Sequence, residues 1–171
     1  MKILLVLLSC FQLSLLAGER VNSGHAEVRL LSNLQSHRDE TFYLGIEMAM
    51  DKGWHTYWQN PGDSGGAFDV IWESPEGFII ENVSCPTPEL IPYPPLMTYG
   101  YEDYVLFPFQ VFRTAESNFG VVKATINFLI CADICVPESA SIEIDLSIEQ
   151  PSSLIGDAIK SVPKTVMPVS L

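Results

Sequence analysis

The sequence predicts an all-β protein, an immunoglobulin-like antiparallel β-sandwich with one short C-terminal helix. Three observations lead there. Apolar residues recur with period two through most of the chain, β-branched and aromatic residues fill those stretches, and turn-forming clusters separate them at short intervals. The pattern is clearest over Phe42 to Met50, Asp69 to Glu73, Tyr104 to Phe112, Val121 to Ile130 and Ser141 to Ile148. The separators are Asn60-Pro61-Gly62-Asp63, Ser74-Pro75-Glu76-Gly77, the proline-rich stretch Pro86 to Pro95, and Glu116-Ser117-Asn118 ahead of Gly120. About seven to nine short strands at this spacing fit two packed sheets. Only Pro151 to Ser161 has helical periodicity, with Leu154, Ile155, Ala158 and Ile159 on one face.

The N-terminus sets the compartment. Met1-Lys2 is a short basic start, Ile3 to Leu16 is apolar except for Ser9, Cys10, Gln12 and Ser14, and Gly24-His25-Ala26 offers small residues for a signal peptidase. Residues 1–26 therefore read as a cleaved export signal, 27–150 as the sandwich domain, and 151–171 as a short helix with a loose tail. The apolar run is shorter than the roughly 20 residues a membrane span requires. Cys10 lacks the small residue two places before it that a lipoprotein cleavage site uses.

Cleavage at that point takes Lys2, Glu19 and Arg20 away and leaves 7 basic against 20 acidic residues, a net charge of -13. Such a field repels phosphate backbones and contains no basic cluster to neutralise them, which argues against a nucleic-acid partner. Solubility is the simpler account of the acidity. The remaining 145 residues are enough for one core that needs no disulfide to hold it.

In an exported chain, cysteines read as disulfide partners before they read as metal ligands. Cys131-Ala132-Asp133-Ile134-Cys135 holds the pair of interest. Residues four apart on a continuous strand stand about 13 Å from each other, whereas a disulfide requires Cα atoms within about 7 Å. Bonding this pair therefore demands a turn over Ala132-Asp133-Ile134, with one cysteine ending a strand and the other opening the next; Asp133 suits such a turn. A loop this short restrains the unfolded chain little, so the bond is expected to contribute modest stability and to be readily reduced. Spacing alone leaves two alternatives open: a purely structural bond, or a thiolate site for a soft ion such as Cu(I) completed by Met97, Met48, Met50 or His55. No metal ligand set or cofactor is assigned. Cys85 is the third cysteine beyond the leader and reads as a buried bystander, and Asn82-Val83-Ser84 formally fits a glycosylation acceptor.

Gly62-Asp63-Ser64-Gly65-Gly66 matches the residues around the nucleophile of trypsin-like proteases, but the two-barrel frame and the distant upstream histidine and aspartate of that class are missing. A tight loop needing positive φ explains the glycines better.

Taken in order, Gly53-Trp54-His55-Thr56-Tyr57-Trp58-Gln59-Asn60-Pro61-Gly62-Asp63-Ser64-Gly65, Trp72, Pro75, Gly77, Pro86, Pro88, Tyr99-Gly100-Tyr101-Glu102-Asp103, Pro108 and Cys131-Ala132-Asp133-Ile134-Cys135-Val136-Pro137-Glu138 resemble the N-terminal periplasmic domain of the DsbD and ScsB thiol:disulfide reductases. The resemblance spans nearly the whole chain after the leader. It implies an immunoglobulin-like sandwich in the bacterial periplasm that takes electrons from a membrane electron carrier of DsbD type, or from a thioredoxin-like donor, and passes them to an oxidised periplasmic client protein. It also implies that Cys131 and Cys135 are the redox pair, with Cys135 forming the intermolecular bond. By the same likeness the loop holding Tyr93, Met97, Tyr99 and Tyr101 would cap the pair; a rigid sandwich loop is the other reading. Asp133 and Glu138 lie near in sequence, and their charge would disfavour a neighbouring thiolate, which suits a reductant that reacts only when docked. Trp54, Tyr57 and Trp58 read as core or loop packing.

Two departures from the family pattern shape the expectation. The three-residue interval between the cysteines is shorter than in DsbD and closer to the ScsB-like branch associated with copper tolerance. Family members continue into a membrane-embedded carrier and a thioredoxin-like domain, and this chain ends at Leu171 with neither, so its donor is expected on a separate protein unless the chain is a fragment. Three classes follow: a redox exchange module, an inert immunoglobulin-like interaction module, and a copper-binding periplasmic protein.

Overall fold

Two antiparallel sheets face each other in a computed structural model that describes residues 18–82 and 85–163. In chain order the elements are β1 (Val21–Asn22), β2 (Ala26–Ser32), β3 (Thr41–Met50), β4 (His55–Gly62), β5 (Asp69–Glu73), β6 (Phe78–Asn82), β7 (Glu89–Tyr93), β8 (Leu96–Glu102), β9 (Tyr104–Arg113), β10 (Val121–Cys131), β11 (Cys135–Asp145) and α1 (Leu154–Ser161). One sheet runs β1-β2-β3-β9-β6 and the other β11-β10-β4-β8-β7, with β5 pairing farther along β10. The expected all-β sandwich with a single short helix is the observed architecture.

Alternation decides which side chains meet between the sheets. On β10, Val122, Ala124, Ile126, Phe128 and Ile130 are buried, and they join Ile142 and Ile144 of β11, Leu44, Ile46 and Met48 of β3, and Phe107, Phe109 and Val111 of β9 in one core. Each of these side chains larger than Ala124 contributes about 1.5–3 kcal/mol by leaving water. The odd-numbered residues of β10, Cys131 among them, consequently face away from the opposing sheet.

Helix α1 packs on the outside of the first sheet, where Ile155 and Ala158 meet Leu31 and Leu106. Gly45 of β3 makes the seat: a β-carbon there would stand 2.7 Å from Leu106 and 3.0 Å from Ile155. The helix begins at Leu154 rather than Pro151, because Pro151 bridges to Ser32 and Ser152 donates its N–H to the Ser32 carbonyl at 2.7 Å. Leu154, placed on the apolar face by its spacing, is 41% exposed.

Other boundaries also moved. The strand expected from Ser141 opens at Cys135 and stops at Asp145, whose Oδ1 accepts both the N–H and the hydroxyl of Ser147 and turns the chain. The proline-rich stretch is half strand: β7 pairs with β8 across Pro94-Pro95, which is a cis bond, and Pro92 is tolerated because β7 is the sheet edge. The segment from His55 to Gly62 is β4, with its pairing interrupted between Tyr57 and Gly62 where Asn60-Pro61 bulges.

The apolar run from Ile3 to Leu16, Cys10, the tail beyond Pro163, and Val83-Ser84 lie outside the described residues. Val21 to Ala26 do not: β1 pairs with β2, Ala26 is buried, and Arg20 joins Arg29 around the buried carboxylate of Glu47. The boundary placed after Ala26 falls between the first and second residues of β2.

Candidate functional site

The turn that geometry required is present. Cys131 and Cys135 are the last register pair of the β10–β11 hairpin, with Cα atoms 4.1 Å apart, and the two sulfurs are bonded. Ala132 donates its N–H to the Ile134 carbonyl at 3.0 Å, so the tip closes on itself and leaves Asp133 and Ile134 outside. Ile134 is 67% exposed. The two cysteines differ sharply: Cys131 is 1% exposed, while Cys135 is an exposed residue.

β4 supplies what surrounds the inner sulfur. His55 is the register partner of Cys131, so alternation puts His55 and Tyr57 on the face that carries the cysteines. The Tyr57 hydroxyl donates to Cys131 Sγ at 2.9 Å and lies 3.5 Å from Cys135 Sγ. Tyr57 is buried, and burial pushes its phenol up from the usual range, so it remains a donor at any physiological pH. His55 meets the Tyr57 ring edge-on at 5.3 Å; burial pulls its imidazole below 6.5, against the weaker opposing influence of Glu102 across the β4–β8 ladder. A small pocket of about 90 Å³ is lined by His55, Tyr57, Ser64, Thr98 and the five residues of the hairpin tip.

The connection after β4 lies over this face as a strap. Gly65, at φ +99°, passes so close to Tyr57 that a β-carbon would land in the ring, and Gly66 rests on Leu129. Asp63 ties the strap to β8 by accepting the Met97 N–H at 2.9 Å and donating its own N–H to the Met97 carbonyl at 3.0 Å. These contacts are the use to which Gly62-Asp63-Ser64-Gly65-Gly66 is put.

The residues singled out from sequence are only partly brought together. Cys131, Cys135 and Asp133 share the pocket. Tyr93, Met97, Tyr99 and Tyr101 belong to the β7–β8 hairpin, and Met97, Tyr99 and Tyr101 do not line the pocket. Tyr101 points into the core, where its ring meets Phe107 at 5.3 Å and its hydroxyl donates to the Pro86 carbonyl at 2.7 Å. Met97 and Tyr99 are partly exposed, Tyr99 against Trp58. From β8 it is Thr98 that reaches the site. Glu138 turns to the other side of β11, taking hydrogen bonds from Ser23 Oγ at 2.6 Å and the His25 N–H at 3.1 Å, with His25 Nδ1 2.6 Å away. The His25 ring in turn stacks on Trp54 at 3.7 Å.

Cys85 is the free cysteine among the described residues; it is buried in the core, where burial pushes its thiol up. Met48 and Met50 are core residues on β3. Among the described residues no group of three or more His, Cys, Asp or Glu side chains is arranged to hold a metal ion. Sequence reasoning weighed Tyr57 as packing and His55 only as a metal ligand. The signal that could have placed both at the sulfurs is their i, i+2 spacing on a strand, which becomes informative once β4 is known to pair with the end of β10.

A sandwich that carries one disulfide at a hairpin tip, with its inner sulfur held by a phenol and its outer sulfur open, defines a redox-type surface module. Residues 27–146 match the family described as thiol:disulfide interchange protein DsbD, N-terminal, and the chain belongs to that family. Among solved structures it is similar to the N-terminal periplasmic domain of ScsB from Proteus mirabilis, at 23% identity and a TM-score of 0.69, covering 89% of this chain and 61% of that one. That likeness shows the fold, and this chain spans about three fifths of the ScsB structure. The yeast GGA1 GAE domain is far less similar, at 15% identity and a TM-score of 0.36 over 73% of this chain and 96% of that one, and carries no argument. No curated protein matches. Family and disulfide together make this a thiol–disulfide interchange module. Among the described residues no helix is long and apolar enough to cross a membrane.

Proposed function

We propose that the module works in the periplasm, exported by a signal within residues 1–26, and that Cys131 and Cys135 accept electrons from a membrane electron carrier of DsbD type or a thioredoxin-like donor and pass them to an oxidised client protein. The observation that carries this reading is the asymmetry of the pair. A docking thiol or disulfide can reach only Cys135, while Cys131 waits behind it in contact with Tyr57. Cys135 thiolate attacks one client sulfur and the other leaves as thiolate; Cys131 then attacks Cys135 Sγ and expels the client's remaining sulfur. Two electrons have moved to the client, and the Cys131–Cys135 bond is restored for a dithiol donor to reduce.

A bond closing so short a loop adds only about 2 kcal/mol through the unfolded chain, so stability gives it little purpose. Equilibration of the purified protein with dithiothreitol of set poise tests the reading. A potential well above about -300 mV is expected, and a value far below it would mark an inert structural bond. Cys131→Ser should attack an oxidised, disulfide-bonded client protein through Cys135 and hold it as a mixed disulfide, and Cys135→Ser should hold none.

A further inference from the structure

We propose that His55 is the proton acceptor for Cys131 in the resolving step. The inference rests on the reading of Cys131 and Cys135 as an exchange pair and adds a residue to it. Resolution requires the thiol of Cys131, which is 1% exposed, to become a thiolate at the buried side of the site. Tyr57 donates a hydrogen bond to that sulfur and so stabilises its negative charge, but a phenol held protonated by burial cannot remove the proton. Something else must take it.

His55 is placed to do so. It stands directly across the β4–β10 ladder from Cys131, on the same face, and both line the pocket of about 90 Å³. Side chains opposite each other on paired strands have β-carbons about 5 Å apart. The groups facing His55 are Tyr57 on its own strand, Glu102 on β8, Cys131 and Cys135 on the hairpin, and Asp133 at the tip. No hydrogen bond ties its ring to any of them, and burial keeps the imidazole neutral at neutral pH, which is the form that accepts a proton.

The Cys131 thiol gives its proton to the imidazole, the thiolate attacks Cys135 Sγ, and the bond from Cys135 to the client sulfur breaks. The client leaves as thiolate and takes the proton back from the imidazolium. In the opposite direction, a donor thiol gives its proton to the ring and attacks Cys135 as the thiolate, and the departing Cys131 sulfur takes that proton from the imidazolium.

The probe is 5,5′-dithiobis(2-nitrobenzoate) added to the pre-reduced protein, because each half of the reaction releases one coloured thiolate. The first release reports attack by Cys135 and the second reports resolution by Cys131. In His55→Gln the first release should keep its rate within about twofold, and the second should slow by about 100-fold at pH 7. In the unsubstituted protein the second release should fall away as the pH drops below 6.5 and the ring becomes protonated, and this limb should vanish in the variant. Added imidazole should restore the second release in His55→Ala, which a lost packing contact would not allow. An unchanged second release with an unchanged pH profile would overturn the proposal, and so would a uniform slowing that imidazole does not rescue. Absence of any second release from the unsubstituted protein would instead defeat the exchange-pair reading itself.

Discussion

Tyr57 and Cys131, 74 residues apart in the chain, are joined by a 2.9 Å hydrogen bond from phenol to sulfur at the buried side of the disulfide. A donor to sulfur is worth more when the sulfur carries charge than when it is neutral. The bond therefore favours the Cys131 thiolate that attacks in the resolving step. Tyr57→Phe keeps the ring under the strap and removes only the hydroxyl, so resolution should slow by about tenfold, which corresponds to about 1.4 kcal/mol. The second thiolate release from 5,5′-dithiobis(2-nitrobenzoate) measures it; an unchanged rate would mean the hydroxyl is a bystander.

The strap itself is open to test through Gly65. At φ +99° an L side chain is strained, and here its methyl would also enter the Tyr57 ring. Gly65→Ala should cost about 2 kcal/mol in urea unfolding and speed reduction of the disulfide by dithiothreitol, since the strap must lift from the site. Gly53→Ala provides the control. Gly53 has φ +82° with nothing within 4 Å of the added carbon, so it should lose stability without changing the rate of reduction.

The hairpin was legible because its constraint is local: five residues, two sulfurs and one bond length allow a single class of turn. The long strands β3, β9 and β10 were legible for a similar reason, since each carries enough alternating residues to declare its period. β4 and β7 were not, because Asn60-Pro61-Gly62 and Pro92 are turn and breaker residues that edge pairing and a bulge accommodate only in the folded sheet. Tyr57 and His55 shared that fate, as their place beside Cys131 follows from a pairing 74 residues distant. The four aromatic and methionine residues expected to cap the site sit on a hairpin whose alternation turns Tyr101 into the core and brings Thr98 to the disulfide. Glu138 was close to Cys135 in sequence, yet strand alternation carries it to the opposite side of β11.

Ile134 is the apolar side chain that a docking protein meets first at the tip. Burying it against a partner contributes about 2 kcal/mol, whereas a small thiol gains nothing from it. Ile134→Glu should therefore leave reduction by dithiothreitol within about twofold of the original rate and slow exchange with a thioredoxin-like donor by at least about tenfold. Equal slowing with both reductants would point to a distorted turn instead of a lost contact.

The clamp between β11 and the β1–β2 turn predicts a pH dependence of stability. Burial pushes the Glu138 carboxyl up, but the bonds from Ser23 and from the ring and N–H of His25 outweigh it, and the net result lies below the ordinary 4.5. A carboxyl depressed on folding contributes stability above its unfolded value, and the contribution is lost as the pH falls from 4.5 through the folded value. Glu138→Gln should accordingly cost about 2 kcal/mol at pH 7, with the gap narrowing below pH 4.5. A chain starting at Glu27 lacks Ser23 and His25 and should show a comparable loss relative to one starting at Glu19, and in that shorter chain Glu138→Gln should cost much less. Thermal melts of the four proteins across pH 3 to 7 measure both effects. Equal cost of the substitution in the long and short chains would show that the clamp does not depend on residues ahead of β2.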